Sequence, residues 1–418
     1  MSLIKLLCCL AFVCVFCFFA DAQTNSFEQL LQTNGALPFR IQDGKLSGKG
    51  AELIDSSLRD VQFVALGEEH NKRAVHQFGG ALFRLLHEKY DFNYLALEED
   101  PIWGKMLSEA ARSAGAEAVI NLALRYPNAF HLSTEDEMQM IGEIGKTSTA
   151  KEAIWGLNQV FGAAHIYDRL VKIAPNKQAR AAAQKLLDAA LEYEKERFQK
   201  NVHYLAAIAK PEDFASLRET FKPAKNSEAD FLIEQIALSN RIYAPYAAKP
   251  KPSNAVFYES GKMRETNMKR LFAQHYREAQ KTEKAGLPKV MAMFGHLHLY
   301  RGLSERTEQY SLGNYLSELA IFNDRKSLHI YMGVDADYYR KSAFEPLVRT
   351  ASEAAKLADA SGAVIDLRQL FDYARTNKEM NPELRRLIMS YDIFLILRDT
   401  ETGSIKRLQT PNFRWYTN

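Results

Sequence analysis

Short apolar runs that alternate with amphipathic helical stretches constrain the fold of this chain more than any other feature. This βαβ-like alternation predicts a parallel sheet covered by helices. The last run is apolar on both faces, as a central strand would be. We therefore predict an α/β fold whose central, mostly parallel sheet is flanked by helices. The strand-forming runs are VQFVAL, DFNYLALEED, EAIWGLN, KVMAMFG, SLHIYMGV, GAVIDLR and YDIFLILRD.

The character of the chain changes between residues 161 and 255. Residues 178–209 are rich in Ala, Leu, Glu and Lys and free of Gly and Pro, and residues 227–248 space their apolar side chains three and four apart. A Pro/Lys linker follows. These patterns predict a helical subdomain at 161–255, inserted between two halves of the α/β domain at 23–160 and 256–418.

The first 22 residues have the layout of a secretory leader. A lysine precedes an apolar run, and a small-x-small cleavage site follows at residues 20–22. The run is too short to be a membrane span. All four cysteines lie in this leader, so disulfides, cysteine nucleophiles and cysteine-ligated metals are not expected in the mature chain. We expect export to a periplasm or beyond.

The composition is that of a soluble globular protein, with 47% hydrophobic and 25% charged residues among 418. The net charge is only +3, and basic residues are interspersed with acids. This balance gives no electrostatic footprint for nucleic acid. After the leader, no segment of the sequence is apolar for long enough to span a bilayer.

The motif Gly67-Glu68-Glu69-His70-Asn71 follows the run VQFVAL. Glycine permits a sharp turn, so these side chains are expected at the carboxyl edge of the sheet, where ligands of open α/β sheets bind. A neighbouring carboxylate raises the pKa of a histidine and orients its ring for proton transfer. Taken alone, such a cluster is more often a cap or a solvated turn than a site.

A second polar motif, Gly295-His296-Leu297-His298, follows the run KVMAMF. In an extended segment, alternation would place His296 and His298 on one side and bury Leu297 on the other. Two imidazoles on one face suit proton transfer, an oxyanion or a metal. The alternative is a pair of polar turn histidines.

Two further stretches carry candidate groups. Glu98 is the first acid after the run YLAL and is well placed to face a cleft, although acids also accompany helix N-termini. Arg264 and Asn267 lie within one turn of the helical stretch 259–280. Arg264 can hold a substrate anion or pair with a glutamate at the sheet edge, whereas an ordinary surface salt-bridge face is the alternative.

Common nucleophile and nucleotide motifs are absent from the sequence. Residues 140–148 contain GKT, but Met140 replaces the first glycine of a P-loop and the preceding stretch is helical in pattern. There is no G-x-S-x-G elbow, no H-E-x-x-H zinc helix and no G-x-G-x-x-G. A serine-hydrolase triad is therefore not supported.

With all four motifs in this order, the chain resembles the superfamily of erythromycin esterases, haem-binding uptake lipoproteins and Tiki-type proteases. The matching stretches are VALGEEH (64–70), YLALEED (94–100), the Arg264-Glu265-x-x-Met268 helix, and FGHLH (294–298). In the erythromycin esterase branch, the resemblance implies hydrolysis by a histidine-activated water, without a serine nucleophile.

The resemblance assigns catalytic roles residue by residue. It implies that His70 is the base and that Glu68 and Glu98 are its acidic partners. It also implies that His298 is a second imidazole near the ester and that Arg264 is the residue that the helix supplies there. Four neighbours of these residues are secondary, binding candidates: Glu69, Asn71, Asn267 and His296.

Three departures weaken the esterase assignment. The G-E-x-H spacing at His70 is shorter than the usual G-E-x-x-H and looks like that of the haem-uptake branch. Gly295 occupies the first position of the usual H-N-x-H motif, and Asn158 stands where an aspartate is expected.

The sequence thus predicts an exported hydrolase that needs no cofactor and acts on an ester-like bond of a small molecule. Three alternatives stay open at this point. They are a haem- or divalent-metal-binding periplasmic protein with Tyr300 as a candidate haem ligand, a metal-dependent protease, and a degenerate scaffold that only binds.

Overall fold

The structure, a computed structural model, describes residues 26–126, 134–200, 203–282, 286–304, 308–337 and 339–403, without the side chains of 195–200. The predicted leader with its four cysteines lies outside these residues. Within them, no helix is long and apolar enough to cross a membrane.

The described strands alternate with helices along most of the chain. The strands are β1 (Leu37–Gln42), β2 (Lys45–Ser47), β3 (Val61–Glu68), β4 (Tyr94–Leu97), β5 (Ile154–Gly156), β6 (Val290–Gly295), β7 (Leu303–Ser304), β8 (Gln309–Tyr310), β9 (Lys326–Val334), β10 (Gly362–Asp366) and β11 (Ile393–Leu397). The helices are α1 (Phe27–Asn34), α2 (Lys49–Ser57), α3 (Arg73–Tyr90), α4 (Pro101–Ala114), α5 (Ala116–Arg125), α6 (Glu135–Thr147), α7 (Ala164–Ile173), α8 (Lys177–Lys200), α9 (Leu205–Ile208), α10 (Pro211–Phe221), α11 (Glu228–Ala247), α12 (Asn254–Thr282), α13 (Leu312–Phe322), α14 (Glu345–Leu357), α15 (Phe371–Thr376) and α16 (Pro382–Ser390).

Nine strands form one sheet in the order β2-β1-β10-β11-β9-β3-β6-β4-β5. The pairs from β11 through β9, β3, β6 and β4 to β5 are all parallel, and only β10, β1 and β2 are joined antiparallel at the other side. The predicted α/β fold with a mostly parallel sheet is confirmed. β7 and β8 form a separate two-stranded hairpin.

Both faces of the sheet are buried. Val64 and Leu66 of β3 join the core beneath α3, whereas Phe63 and Ala65 join the core beneath α12 and α13. This alternation follows from the two-residue period of a strand. β11 is buried at every position, in agreement with its prediction as an internal strand.

Helix boundaries follow local signals. Asp100 caps α4 by accepting hydrogen bonds from the backbone of Ile102 and Trp103, and Pro101 occupies the first turn. α6 covers the GKT stretch, so that stretch is helical and not a phosphate-binding loop. Helices α7–α12 stand between β5 and β6. The division of the chain at 161–255 into a separate subdomain remains a prediction.

Candidate functional site

The carboxyl ends of three neighbouring parallel strands bring the polar motifs together. β3 ends at Glu68, which is in register with Gly295 at the end of β6. Glu98 follows β4, whose last residue Leu97 pairs with Met293 of β6. The strand extends one residue beyond the predicted end at Gly67, and Glu68 is consequently buried.

His70 and Glu68 form the first of two carboxylate–imidazole pairs. Nδ1 of His70 lies 3.1 Å from Oε1 of Glu68, and 32% of the His70 side chain is exposed. Burial alone would lower the pKa of His70, and Arg264 acts in the same direction. The hydrogen bond to Glu68 and the charges of Glu68 and Glu98 outweigh both, so the pKa of His70 is raised above its ordinary value.

Glu265 and His298 form the second pair. Oε1 of Glu265 is in close contact with Nδ1 of His298, and its Oε2 accepts a hydrogen bond from the backbone of Leu312 at 3.1 Å. Both side chains are buried. Glu265 is not among the predicted site residues, although it belongs to the Arg264-Glu265-x-x-Met268 motif of α12.

Glu98 lies between the two pairs. Its Oε2 is 3.9 Å from Nε2 of His70, and its Oε1 is 3.7 Å from Nε2 of His298. The backbone of Gly295 donates to Oε2 at 3.0 Å, and Arg264 donates to Oε1 at 2.5 Å. A single buried carboxylate is thus fixed by two donors and faced by two imidazoles.

Asn158 supports this arrangement from the end of β5. Its amide donates to the backbone oxygen of Glu98 at 3.2 Å, and its Oδ1 accepts from Nε of Arg264 at 3.3 Å. An ionised aspartate cannot make the first of these bonds, because it has no donor. The burial of Arg264 would lower its pKa, but Tyr243 and Glu98 raise it, so the guanidinium stays charged.

Close packing accounts for the two glycines in the motifs. A Cβ on Gly295 would lie 2.9 Å from Nε2 of His70 and 3.3 Å from Oε2 of Glu98. A Cβ on Gly67 would lie 2.8 Å from the hydroxyl of Tyr391. A histidine at position 295, as in the H-N-x-H pattern, would therefore require His70 to shift.

Comparisons with known proteins give one consistent result. No protein-family model and no curated protein matches the sequence. Among solved structures, a mutant of the erythromycin esterase EreC in its open conformation is 14% identical, with a TM-score of 0.55 over 88% of this chain and 99% of that one. The chain shares its fold with an erythromycin esterase.

Two other solved structures are also similar to this chain in fold. A succinoglycan biosynthesis protein is 14% identical, with a TM-score of 0.58 over 93% of this chain and 100% of that one. A Bacillus cereus protein is 13% identical, with a TM-score of 0.53 over 92% and 100%. These likenesses confirm, at the level of the fold, the resemblance indicated by the four motifs.

The segment after β6 differs from its prediction. Residues His296–His298 form a 3₁₀ turn and not an extended segment. Three residues per turn do not place positions 296 and 298 on one side. His298 is buried toward Glu98, whereas the ring of His296 lies 5.0 Å from that of Tyr331. The prediction that the two imidazoles share one face is therefore wrong.

The remaining binding candidates lie around the cluster. Asn71 is buried with a left-handed backbone, φ +64°, and its backbone oxygen accepts from Gly403 at 2.9 Å. Asn267 is buried and accepts a hydrogen bond from Arg270 of its own helix. Glu69 is half-buried beside Glu68.

A metal ion or a haem would need ligands from the side chains of the described residues. In the described part of the chain, no group of three or more His, Asp, Glu or Cys side chains is arranged to hold a metal ion. Tyr300, the candidate haem ligand, is buried with its ring 5.2 Å from that of Tyr391. Burial raises the pKa of Tyr300 to about 12, so its phenol stays protonated at neutral pH.

Proposed function

We propose that this protein hydrolyses an ester-like bond of a small molecule with a water activated by His70. The observation that supports this most directly is the orientation of His70. Its Nδ1 faces the buried Glu68 at 3.1 Å, and the ring is partly exposed. With the proton on Nδ1, the lone pair of Nε2 can accept a proton from water.

The surrounding groups have the chemistry that this reaction requires. Water gives a proton to Nε2 of His70 while its oxygen bonds to the ester carbonyl carbon. The oxyanion that forms is stabilised by the charged Arg264, and His298 is a second donor when its Nε2 carries a proton. When the carbon–oxygen bond to the leaving group breaks, the alkoxide takes the proton back from His70, so that an acid and an alcohol are released.

The substrate and the compartment are also part of the proposal. The sequence has no nucleotide motif, and its net charge is only +3 with basic residues interspersed with acids, so a small molecule is the proposed substrate. The leader-like layout of residues 1–22 favours export, and the substrate would then be met in a periplasm or outside the cell.

A panel of p-nitrophenyl esters of different acyl length tests the proposal with the purified chain. We expect His70→Ala to lower kcat/KM by about 10²- to 10⁴-fold, the range for loss of a general base. His203→Ala is the matched control, because His203 is an exposed histidine and its removal should leave kcat/KM unchanged. Circular dichroism and the thermal midpoint verify that both variants are folded. Full activity in His70→Ala would refute the role of His70.

A further inference from the structure

A second buried histidine lies behind the Glu68–His70 pair. His76 is in the first turn of α3 and is almost completely buried. Its Nε2 lies 3.9 Å from Oε2 of Glu68, the carboxylate oxygen that does not face His70. These two atoms are buried, and neither has a hydrogen-bond partner among the described residues. A donor and an acceptor therefore face each other at the back of the site.

The groups on both sides of the ring favour a proton on Nε2 of His76. Thr134 is the N-cap of α6, and its Oγ1 accepts a hydrogen bond from the backbone of Glu137 at 3.2 Å. The same hydroxyl lies 3.2 Å from Nδ1 of His76. The hydroxyl can donate its own proton to Nδ1, and the carboxylate oxygen opposite Nε2 favours that arrangement, because an unprotonated Nε2 would place a lone pair against it. In a neutral ring the proton is then on Nε2, which faces Glu68.

The charges around this histidine are consistent with a neutral ring. Burial and the charge of His70 lower the pKa of His76, and together they outweigh Glu68 and Asp136, which raise it. Burial and the charge of Glu68 raise the pKa of Glu137 well above its ordinary value, which favours the neutral form of this acid. His70 itself is faced by Glu68, Glu98 and Arg264.

We propose that His76, held by Thr134, is a positioning residue that donates from Nε2 to Glu68 and keeps the other carboxylate oxygen on His70. The distance of 3.9 Å is about 1 Å longer than an N–H···O hydrogen bond. Catalytic hydrogen bonds are often long without substrate and shorten in the complex. This inference rests on the proposed function only in so far as His70 is the base.

The chemical consequence is a lower proton affinity of the Glu68–His70 pair. A donor to a carboxylate stabilises the ionised form, and its removal makes the pair bind a proton more tightly. His76→Leu should therefore raise the pKa of His70 by about one unit, the size expected for loss of a hydrogen bond to a charged group. His76→Gln keeps an N–H donor and should restore the pKa to near that of the wild type.

The test is a pH titration of the histidine ring signals by NMR on the full chain, with His70 assigned through His70→Gln. An unchanged His70 pKa in His76→Leu would overturn the proposal, as would equal shifts in His76→Leu and His76→Gln. If His76→Leu does not fold, Thr134→Val is measured against Thr134→Ser, which keeps the hydroxyl. Thr134→Val should move the ring ¹⁵N shifts of His76 away from the Nε2–H tautomer, and unchanged shifts would overturn the proposal.

Ester hydrolysis measured on the same variants separates the two proposals. If esters are cleaved, the acidic limb of the kcat/KM profile should move upward with the His70 pKa. A shifted pKa without any hydrolysis by the wild type would leave the positioning role intact and remove the proposed function. Hydrolysis by the wild type with an unchanged His70 pKa in His76→Leu would support the proposed function and overturn the positioning role of His76.

Discussion

The two carboxylate–imidazole pairs, Glu68–His70 and Glu265–His298, have the same arrangement of atoms and differ in their exposure to solvent. In each, Nδ1 of a histidine faces a buried glutamate and Nε2 faces Glu98. His70 is on a loop after β3 and is 32% exposed, whereas His298 is on a 3₁₀ turn and is 8% exposed. The exposed pair can exchange protons with water in the cleft, and the buried pair cannot do so as readily.

The carboxylates differ in the same sense. Both oxygens of Glu265 have a nearby donor, His298 and the backbone of Leu312. Glu68 has His70 on one oxygen, and the other faces His76 at a longer distance. A carboxylate with a donor on each oxygen holds its histidine in one position. A carboxylate with a close donor on only one oxygen can adjust when its histidine gains or loses a proton. The Glu265–His298 pair is therefore suited to hold a fixed position in the site, and the Glu68–His70 pair is suited to transfer protons.

Removal of Glu98, which joins the two pairs, should have the largest effect. Glu98→Ala leaves the guanidinium of Arg264 without its carboxylate partner, and such losses cost about 3–5 kcal/mol of unfolding free energy. Urea denaturation measures the loss. Glu228→Ala breaks the exposed pair with Arg169 and should cost at most about 1 kcal/mol. Equal losses in the two variants would contradict the structural importance of Glu98.

The two glutamates of the pairs should then differ from each other. Glu265→Ala leaves two buried donors, His298 and the backbone of Leu312, without an acceptor and should cost about 2–4 kcal/mol of unfolding free energy. Glu68→Ala should cost less, about 1–2 kcal/mol, because the partly exposed His70 can turn to water and the contact of His76 with Glu68 is long, at 3.9 Å. Chemical denaturation of both variants in parallel tests this order. The reverse order would show that the buried pair is not the more rigid one.

The pH dependence of stability should show the smallest difference. The pKa of His70 is raised in the folded state, so its contribution to stability is complete below the unfolded value near 6.5 and is lost as the pH rises through the folded pKa. The stability difference between wild type and His70→Gln should therefore shrink from pH 5.5 to 8.5. A difference that grows with pH would contradict the raised pKa.

His329 provides a control of opposite sign. Burial lowers the pKa of this histidine to about 3, with Arg301 acting in the same direction. Unfolding then takes up a proton below about pH 6.5, so its contribution to stability is lost as the pH falls. His329→Gln should reduce the acid sensitivity of the chain, in contrast to His70→Gln.

Much of the sheet could be predicted because its strands are buried on both faces. Runs such as those of β3 and β11 are continuously apolar, and their polar endings mark the carboxyl edge. The antiparallel pairing of β10 could not be predicted, since GAVID has the same composition as a parallel strand. Strand direction depends on the path of the connecting chain, which an apolar run does not encode.

The site was predictable where its residues follow strands directly, as Glu68 and Glu98 do. The role of Glu265 was missed, although its motif was noted, because the helix register does not show which residue faces the site and the partner His298 is 33 positions away. His76 was missed because it lies in an amphipathic helix, where one buried histidine resembles any core position. The turn at His296 was assigned wrongly because a strand ending in glycine gives no signal for where extended backbone stops.

The position of β11 joins parts of the chain that are far apart in sequence. It is the last strand of the described residues, yet it is inserted between β10 and β9 and completes the sheet from both sides. Residues after it reach the loop of His70, where Arg73 pairs with Asp399 and Glu401 and the backbone of Gly403 bonds to Asn71. Strand pairing across the middle of the sheet and the position of the loop after β3 therefore both depend on a segment more than 300 residues further along the chain.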